Sequence, residues 1–328
     1  MTGKKSKIRF DGTQPKVSAE ELRQKCLELR AWGRWGEDDE IGTLNHVRLE
    51  DVAAAARLIR SGKTMSLALP FDQNGPAHGR RGRFNPVHYM MYTGTDAYSG
   101  VQDSHGIRYA DDAVIMPLQC GTQWDALSHV FYDNHMWNGY DIRLVDGTGA
   151  KKNGIEKTKD KMVGRGVFLD IARYEDVDTL PDGYAISAAQ LDAVAAYQGV
   201  EIRRGDFVIF RTGQMGARLR AKEWGTYSGG DAPGLALDTA KWIAEKQIAA
   251  ICSDTFGVEV RPNPTDMIRQ PWHWIVIPNM GLTMGEIFYL EELADDCAAD
   301  GVYEFFFCGA SLPITGGVGS PTNPMVIK

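Results

Sequence analysis

A helical spacing of apolar residues begins at Ala19. It is opened by Ser18-Ala19-Glu20-Glu21, a serine followed three positions later by a glutamate, which predicts a capped helix running to about Ala31. The same period predicts helices over Leu49–Ile59, closed by Gly62; over Ser187–Tyr197, capped by Ser187 and ended by Gly199; and over Leu237–Lys246. Short apolar runs bounded by turn residues predict strands at Met65–Leu69, Gly166–Ile171, Asp206–Arg211, Ile248–Cys252 and Tyr303–Cys308, the last followed by a glycine-rich tail. Strands alternating with helices point to an α/β fold. Neither a break in composition nor an internal repeat divides the chain, so one domain is expected over residues 18–328, preceded by a flexible tail, 1–17. Residues 71–106, rich in Gly, Pro, Asn and Tyr, follow neither period and suit a functional loop or an oligomer contact. Phe131–Thr148, with Tyr132, His135, Trp137 and Tyr140 among glycines and polar residues, suits a loop over a pocket.

Composition narrows the partners. Among 328 residues, 36 basic against 43 acidic side chains give a net charge of −7, and the basic residues are scattered, which argues against nucleic acid. The runs Lys4–Lys7 and Lys151-Lys152 are expected to be solvated tail and loop. Five cysteines, Cys26, Cys120, Cys252, Cys297 and Cys308, are widely spaced and form no Cys-x-x-Cys pair, which fits a reducing compartment. The first residues lack the apolar core of a secretory signal, and no apolar run approaches the length of a membrane span. A soluble, cytoplasmic protein acting on a small molecule is the expectation.

Candidate chemistry is densest in Leu118-Gln119-Cys120-Gly121-Thr122-Gln123-Trp124-Asp125-Ala126-Leu127-Ser128-His129. Read as a strand, the segment puts Gln119, Gly121, Gln123 and Asp125 on one face and Cys120, Thr122 and Trp124 on the other. If a helix follows, Asp125 and His129 share its face. Thr122 is expected to support the loop, Cys120 to be a buried thiol, and Ser128 to point away from His129. A second group, Pro271-Trp272-His273-Trp274 and then Glu286, adds an imidazole and a carboxylate. Two imidazoles and two carboxylates suit Zn²⁺ or Mn²⁺. Around them Trp124, Tyr132, Trp137, Tyr140, Trp272 and Trp274 serve either as core or as walls of an apolar pocket.

These motifs resemble the cyclase family of metal-dependent hydrolases, which includes bacterial kynurenine formamidase and isatin hydrolase. The family signature His-x-Gly-Thr-His-x-Asp-x-x-x-His here reads Gln119-Cys-Gly121-Thr122-Gln123-Trp-Asp125-Ala-Leu-Ser-His129. The later elements have counterparts in Gly205-Asp206 through Arg211-Thr212-Gly213, in Ser253-Asp254-Thr255, in His273 and in Glu286, so the likeness covers roughly residues 110–315. It implies a single-domain fold with a mixed β-sheet core and flanking helices, a homodimer or homotetramer, and one divalent cation, Mn²⁺ or Zn²⁺.

The departure is at Gln119 and Gln123, where relatives carry two metal-binding histidines. One reading leaves Asp125, His129, His273 and Glu286 to hold a single ion, with the glutamines bonding substrate or water. Another keeps the glutamines as ligands beside Asp125, with His129 as a proton shuttle; a third has no metal. The resemblance implies hydrolysis of a small cyclic amide, lactone or N-acyl, arylformamide-like compound. His129, Glu286 and Asp125 are then the catalytic residues, and Gln119, Gln123, Trp124, Trp137, Tyr140 and Trp272 contact the substrate. The alternatives are a metal-free cyclase, lyase or dehydratase working through His129 and Glu286, and a ligand-binding relative without activity.

Overall fold

In the computed structural model, which describes residues 7–328, nine strands form one mixed sheet. In chain order they are β1 (Thr64–Ser66), β2 (Gln123–Asp125), β3 (Val163–Asp170), β4 (Phe207–Arg211), β5 (Ala250–Ser253), β6 (Thr283–Glu286), β7 (Glu304–Cys308), β8 (Gly319–Pro321) and β9 (Met325–Ile327). Across the sheet the order is β1-β9-β7-β3-β4-β5-β6-β2-β8. The central four, β3 to β6, are parallel, and the outer pairings are antiparallel. This is the single-domain α/β architecture with a mixed sheet that the sequence implied.

The parallel strands read as unbroken apolar runs because both of their faces are buried. Val167 and Leu169 of β3, Val208 and Phe210 of β4 and Ile251 of β5 enter one core, whereas Phe168, Phe207, Ile209 and Cys252 enter the other. On the first face lie α1 (Ala19–Glu28), α2 (Ala188–Gln198), α3 (Thr239–Lys246) and α4 (Pro271–Val276), contributing Leu22, Leu191, Ile243 and Trp272 among others. On the second lies α5 (Glu291–Asp300), with Leu293, Ala294 and Cys297. The helix starts are those the sequence marks. Ser18 and Glu21 form a reciprocal capping box at α1, and Ser187 accepts from Gln190 N at α2, which ends at Gly199 with φ +75°.

Several boundaries differ from expectation. The Leu49–Ile59 helix is α-helical over Leu49–Ala55 and tightens to a 3₁₀ turn at Ala56–Leu58. Within 71–106, Val87–Tyr92 is a strand paired antiparallel with Asp111–Ile115. All six of its residues are exposed, so neither face imposes an alternation that a sequence could display. Residues 7–17 were expected to hang loosely, yet they lie against the body. Ile8 N donates to Tyr174 Oη at 2.9 Å, Ala185 N to Gly12 O at 2.7 Å and Val17 N to Pro264 O at 3.0 Å. Residues 1–6, including most of the Lys4–Lys7 run, fall outside the described part. The glycine-rich tail supplies β8, a Gly-Ser-Pro strand without an apolar run, and the three-residue apolar β9; they pair with β2 and β7. Strand β6 and helix α5, absent from the sequence reading, are likewise fixed by tertiary burial. Among the described residues no helix is long and apolar enough to cross a membrane.

Trp124 sits at the centre of the second core. It is fully buried, its indole is edge-on to Phe288 and Phe307 at 5.5 and 6.3 Å, and Nε1 donates to Gly309 O at 2.6 Å. Trp124→Ala is therefore expected to cost about 3–5 kcal/mol, seen as a lower denaturant midpoint. An unchanged midpoint contradicts this packing role.

Candidate functional site

Strand β2 lies between β6 and β8, with Gln123 opposite Glu286, Trp124 opposite Gly285 and Asp125 opposite Met284. The pleat turns Gln123, Asp125 and Glu286 to one face and Trp124 to the other, the alternation read from the sequence. Gln123 Nε2 donates to Glu286 Oε2 at 2.6 Å. Gln119 precedes the strand and packs its amide over β8, where a Cβ at Gly319 would stand 2.5 Å from Gln119 Nε2 and would push that amide aside. Thr122 supports the loop as expected, donating to Ile287 O at 2.6 Å and accepting from Leu69 N at 2.9 Å. Ser128 donates to Asn153 O, and burial raises the Cys120 thiol above its usual range; neither is arranged to attack a substrate.

No helix follows Asp125. The chain makes a tight turn, closed by His129 N donating to Ala126 O at 3.0 Å, and this turn brings His129 Nε2 to 3.9 Å from Asp125 Oδ1. The pairing expected from an i,i+4 helix is thus reached by a different backbone.

His273 arrives on α4, whose first residue is Pro271. Glu259 secures that helix start: its Oε2 accepts from Trp272 N and its Oε1 from His273 N, both at 3.2 Å. The same Oε1 accepts from His273 Nδ1, which fixes the ring and leaves Nε2 facing inward, 3.5 Å from Glu286 Oε1 and 3.3 Å from Gln270 Nε2. A carboxylate holding the far nitrogen of an imidazole is the usual support for a metal-ligating histidine.

One ligand atom each from Asp125, His273 and Glu286 lies within 4.8 Å of the others, and all three residues are buried. Asp125 Oδ1 and Gln123 Oε1 are buried without a hydrogen-bond partner. Such orphaned oxygens are costly, and a cation held by Asp125, His273 and Glu286 would satisfy Asp125 Oδ1. The residues present therefore fit a divalent ion. His129 stands beside this trio and is not part of it.

Charge states follow from crowding. Burial, then the charge of Glu286, pushes the Asp125 carboxyl well above its ordinary range. Burial, reinforced by the Arg83 guanidinium, takes His129 down to about 4, so its ring is neutral at pH 7. Burial alone would lower His273, but Glu259 and then Glu286 outweigh it and hold the imidazole up at about 10. For Glu286 burial opposes ionisation, and the hydrogen bond and charge of His273 prevail and lower it.

Asp125, His129, His273 and Glu286 open onto a cavity of about 460 Å³. Four residues expected at the substrate are elsewhere. Trp124 is in the opposite core; Trp137 is buried with Nε1 on Asp39; Trp272 is buried with Nε1 on Thr239; and Tyr140 Oη donates to Glu37 O. Large aromatics within apolar runs go to whichever core lies behind their strand or helix, and sequence spacing does not say which. Of the 131–148 loop, only Phe131 reaches the cavity; its other aromatic walls are Phe256 and Trp274. Gln119 and Gln123, also expected at the substrate, do not line the cavity: Gln123 donates to Glu286, and Gln119 Nε2 is buried without a hydrogen-bond partner. The sequence reading missed Glu259 and four cavity arginines, Arg81, Arg83, Arg261 and Arg269. The cluster Arg80-Arg81-Gly82-Arg83 inside the irregular 71–106 stretch was the available signal.

The family motifs at 205–213 and 253–255 lie in the scaffold. Asp254 accepts from Thr212 N and Gly213 N, both at 2.8 Å, tying β5 to the turn after β4, and Gly213 has φ +81° with Asp178 O 2.1 Å from where a Cβ would be. Asp206 pairs with Arg165 at 2.6 Å.

Comparison with known proteins bears on the fold and the family. The Cyclase family model, described as "Putative cyclase", matches residues 65–260, more than half of the chain. That span holds Asp125, His129 and Glu259 and stops before His273 and Glu286. No curated protein matches the chain. Among solved structures, one described as a novel cyclase is 40% identical over 92% of this chain and 100% of its own, with a TM-score of 0.83. An isatin hydrolase bound to the product analogue thioisatinate is 15% identical over 85% of this chain and 98% of its own, TM-score 0.58. Isatin hydrolase A from Ralstonia solanacearum is 18% identical over 85% and 97%, TM-score 0.59. The two hydrolases share the fold at low identity, whereas the family match carries the assignment: this chain belongs to the Cyclase family.

Proposed function

We propose that the protein is a hydrolase of a small cyclic amide, lactone or N-acyl compound, with one divalent cation, Mn²⁺ or Zn²⁺, held by Asp125, His273 and Glu286. The convergence of these three buried side chains, with Asp125 Oδ1 otherwise orphaned, carries the reading. It favours the single-ion arrangement in which Gln123 is a hydrogen-bonding support and not a ligand, since its amide N–H donates to Glu286. His129 is assigned as the proton carrier and not a ligand, because it stands outside the trio. When bound, the cation supplies an acidified water and a polarised carbonyl. Neutral His129, 3.9 Å from Asp125, takes the proton from the attacking water and delivers it to the leaving nitrogen or oxygen. Glu259 keeps the His273 ring oriented, and Phe131, Phe256 and Trp274 flank the scissile group.

A second reading, a metal-free cyclising or lyase enzyme, is favoured by one observation: the His273 imidazolium between Glu259 and Glu286 is partly compensated without any ion.

Protein purified without chelator is expected to carry about one ion per chain, lost in His273→Ala. Less than about a tenth of an ion, with no activity on adding Mn²⁺ or Zn²⁺, favours the metal-free enzyme. His129→Ala is expected to keep the ion and lower kcat by about 10²–10⁴-fold; loss of the ion in this variant would make His129 a ligand instead. Glu259→Gln is expected to weaken the metal by about 10–100-fold in chelator competition, with no loss of fold.

We also propose that the chain self-associates through the hairpin of Val87–Tyr92 and Asp111–Ile115. Isolated two-stranded hairpins are marginal in water, and this one exposes Tyr89, Met90, Met91 and Val114. Light scattering is expected to give a dimer or tetramer, shifted toward monomer by Met90→Asp with Val114→Asp. A monomeric parent chain refutes self-association.

A further inference from the structure

The cavity carries an excess of positive charge that the proposed hydrolysis does not need. Its walls contain four guanidinium groups, from Arg81, Arg83, Arg261 and Arg269, against two carboxylates, Asp125 and Glu286. Both carboxylates are already engaged, Glu286 by Gln123 and His273 and Asp125 by its place in the ion-holding trio. In a chain of net charge −7 this concentration is local and not a general property of the surface.

Two of the four arginines are positioned without a carboxylate of their own. Arg83 makes one hydrogen bond, at the limit of 3.5 Å, to the carbonyl of Gln119, and its guanidinium lies 6.0 Å from the Phe256 ring. Among the described residues neither Arg83 nor Arg269 makes an ion pair. Arg81 is aimed by a relay: both its terminal nitrogens donate to Gln270 Oε1 at 3.1 Å, and the amide nitrogen of the same Gln270 is 3.3 Å from His273 Nε2. Arg83 is half-buried and Arg81 and Arg269 are exposed, so the arginines line the solvent side of the cavity, with Arg81 tied through Gln270 to His273 at its inner end. A planar guanidinium presents paired N–H groups that match an oxyanion in two-point contact, and a partly enclosed cavity strengthens that contact over its value in water.

We infer that the substrate is anionic, an aromatic or cyclic compound bearing a carboxylate or phosphate that Arg83 and Arg269 grip while its scissile group faces Asp125, His273 and Glu286. The inference rests on the proposed function for placing the substrate in this cavity. Binding without turnover can nevertheless test it separately. The oxyanion is recognised by the arginine wall, the ring by Phe131, Phe256 and Trp274, and the neutral reacting group by the opposite end.

The experiment is calorimetric titration of the metal-loaded protein with benzoate, phenyl phosphate and neutral benzamide, repeated in Arg83→Gln, Arg83→Lys and Arg269→Gln. Benzoate or phenyl phosphate is expected to bind at least about tenfold more tightly than benzamide, the tighter of the two naming the anion. Each Gln variant is expected to remove about tenfold of that preference, Arg83→Lys to restore part of it, and benzamide to be unaffected. Equal binding of charged and neutral probes overturns the inference. So does a preference that survives in both Gln variants, which would locate the anion on the metal itself. Turnover of N-formylanthranilate against formanilide separates the two readings. If neither is hydrolysed while the arginine-dependent preference persists, the hydrolase reading fails and the anion site stands; if both are hydrolysed with equal kcat/KM and bind alike, the reverse holds.

Discussion

Three carboxylates, Asp125, Glu259 and Glu286, are buried around the imidazole of His273, and the surrounding architecture is arranged so that they can be. Like charges in an apolar interior repel and lose their hydration, which is why burial and Glu286 drive Asp125 toward its protonated form. Some compensation is internal: Glu259 spends its oxygens on the start of a helix and on the His273 ring, and Glu286 takes a hydrogen bond from Gln123. Asp125 Oδ1 and Gln123 Oε1 are left without partners, and the first belongs to the trio that would hold an ion.

Each member of this set comes from a different rigid element. Asp125 ends β2, Glu286 ends β6, His273 rides on α4, and Glu259 lies in the connection after β5. The antiparallel pairing of β2 with β6 is decisive, because it sets Gln123 directly opposite Glu286 and so fixes the carboxylate on which the trio depends. The parallel β3 to β6 core, sealed on both faces, is the platform that holds those strands in register. The site is therefore built on two paired strands near one side of the sheet, with α4 and the connection after β5 brought against them.

The replacement of two signature histidines by glutamine acquires a physical meaning in this setting. An amide can give one hydrogen bond and accept another, but it binds a first-row cation far less well than imidazole does. Gln123 uses its donor on Glu286, and Gln119 packs its amide over Gly319. The arginine-rich wall is a second departure from an ordinary apolar pocket, and it shifts recognition from aromatic packing toward charge.

Much of this was written in the linear chain. The capping serines, the apolar runs of β3, β4 and β5, the alternation that separates Gln123 and Asp125 from Trp124, and the chemical identities of Asp125, His129, His273 and Glu286 are local signals, since each depends on neighbours within a few positions. What the chain could not express was which distant surfaces meet. Trp124, Trp137 and Trp272 look like pocket walls in sequence because a large apolar side chain reads the same in a core and in a cavity; burial on both sheet faces assigns them to the interior. Strand β8 carries no pattern of its own and exists through its partner β2. Glu259 and the arginines at 81, 83, 261 and 269 were ordinary charged residues until folding brought them to His273. Sequence thus determined the elements and the chemical groups, and tertiary structure decided which of those groups share a site, because the energies of buried charge and of strand pairing act between residues far apart along the chain.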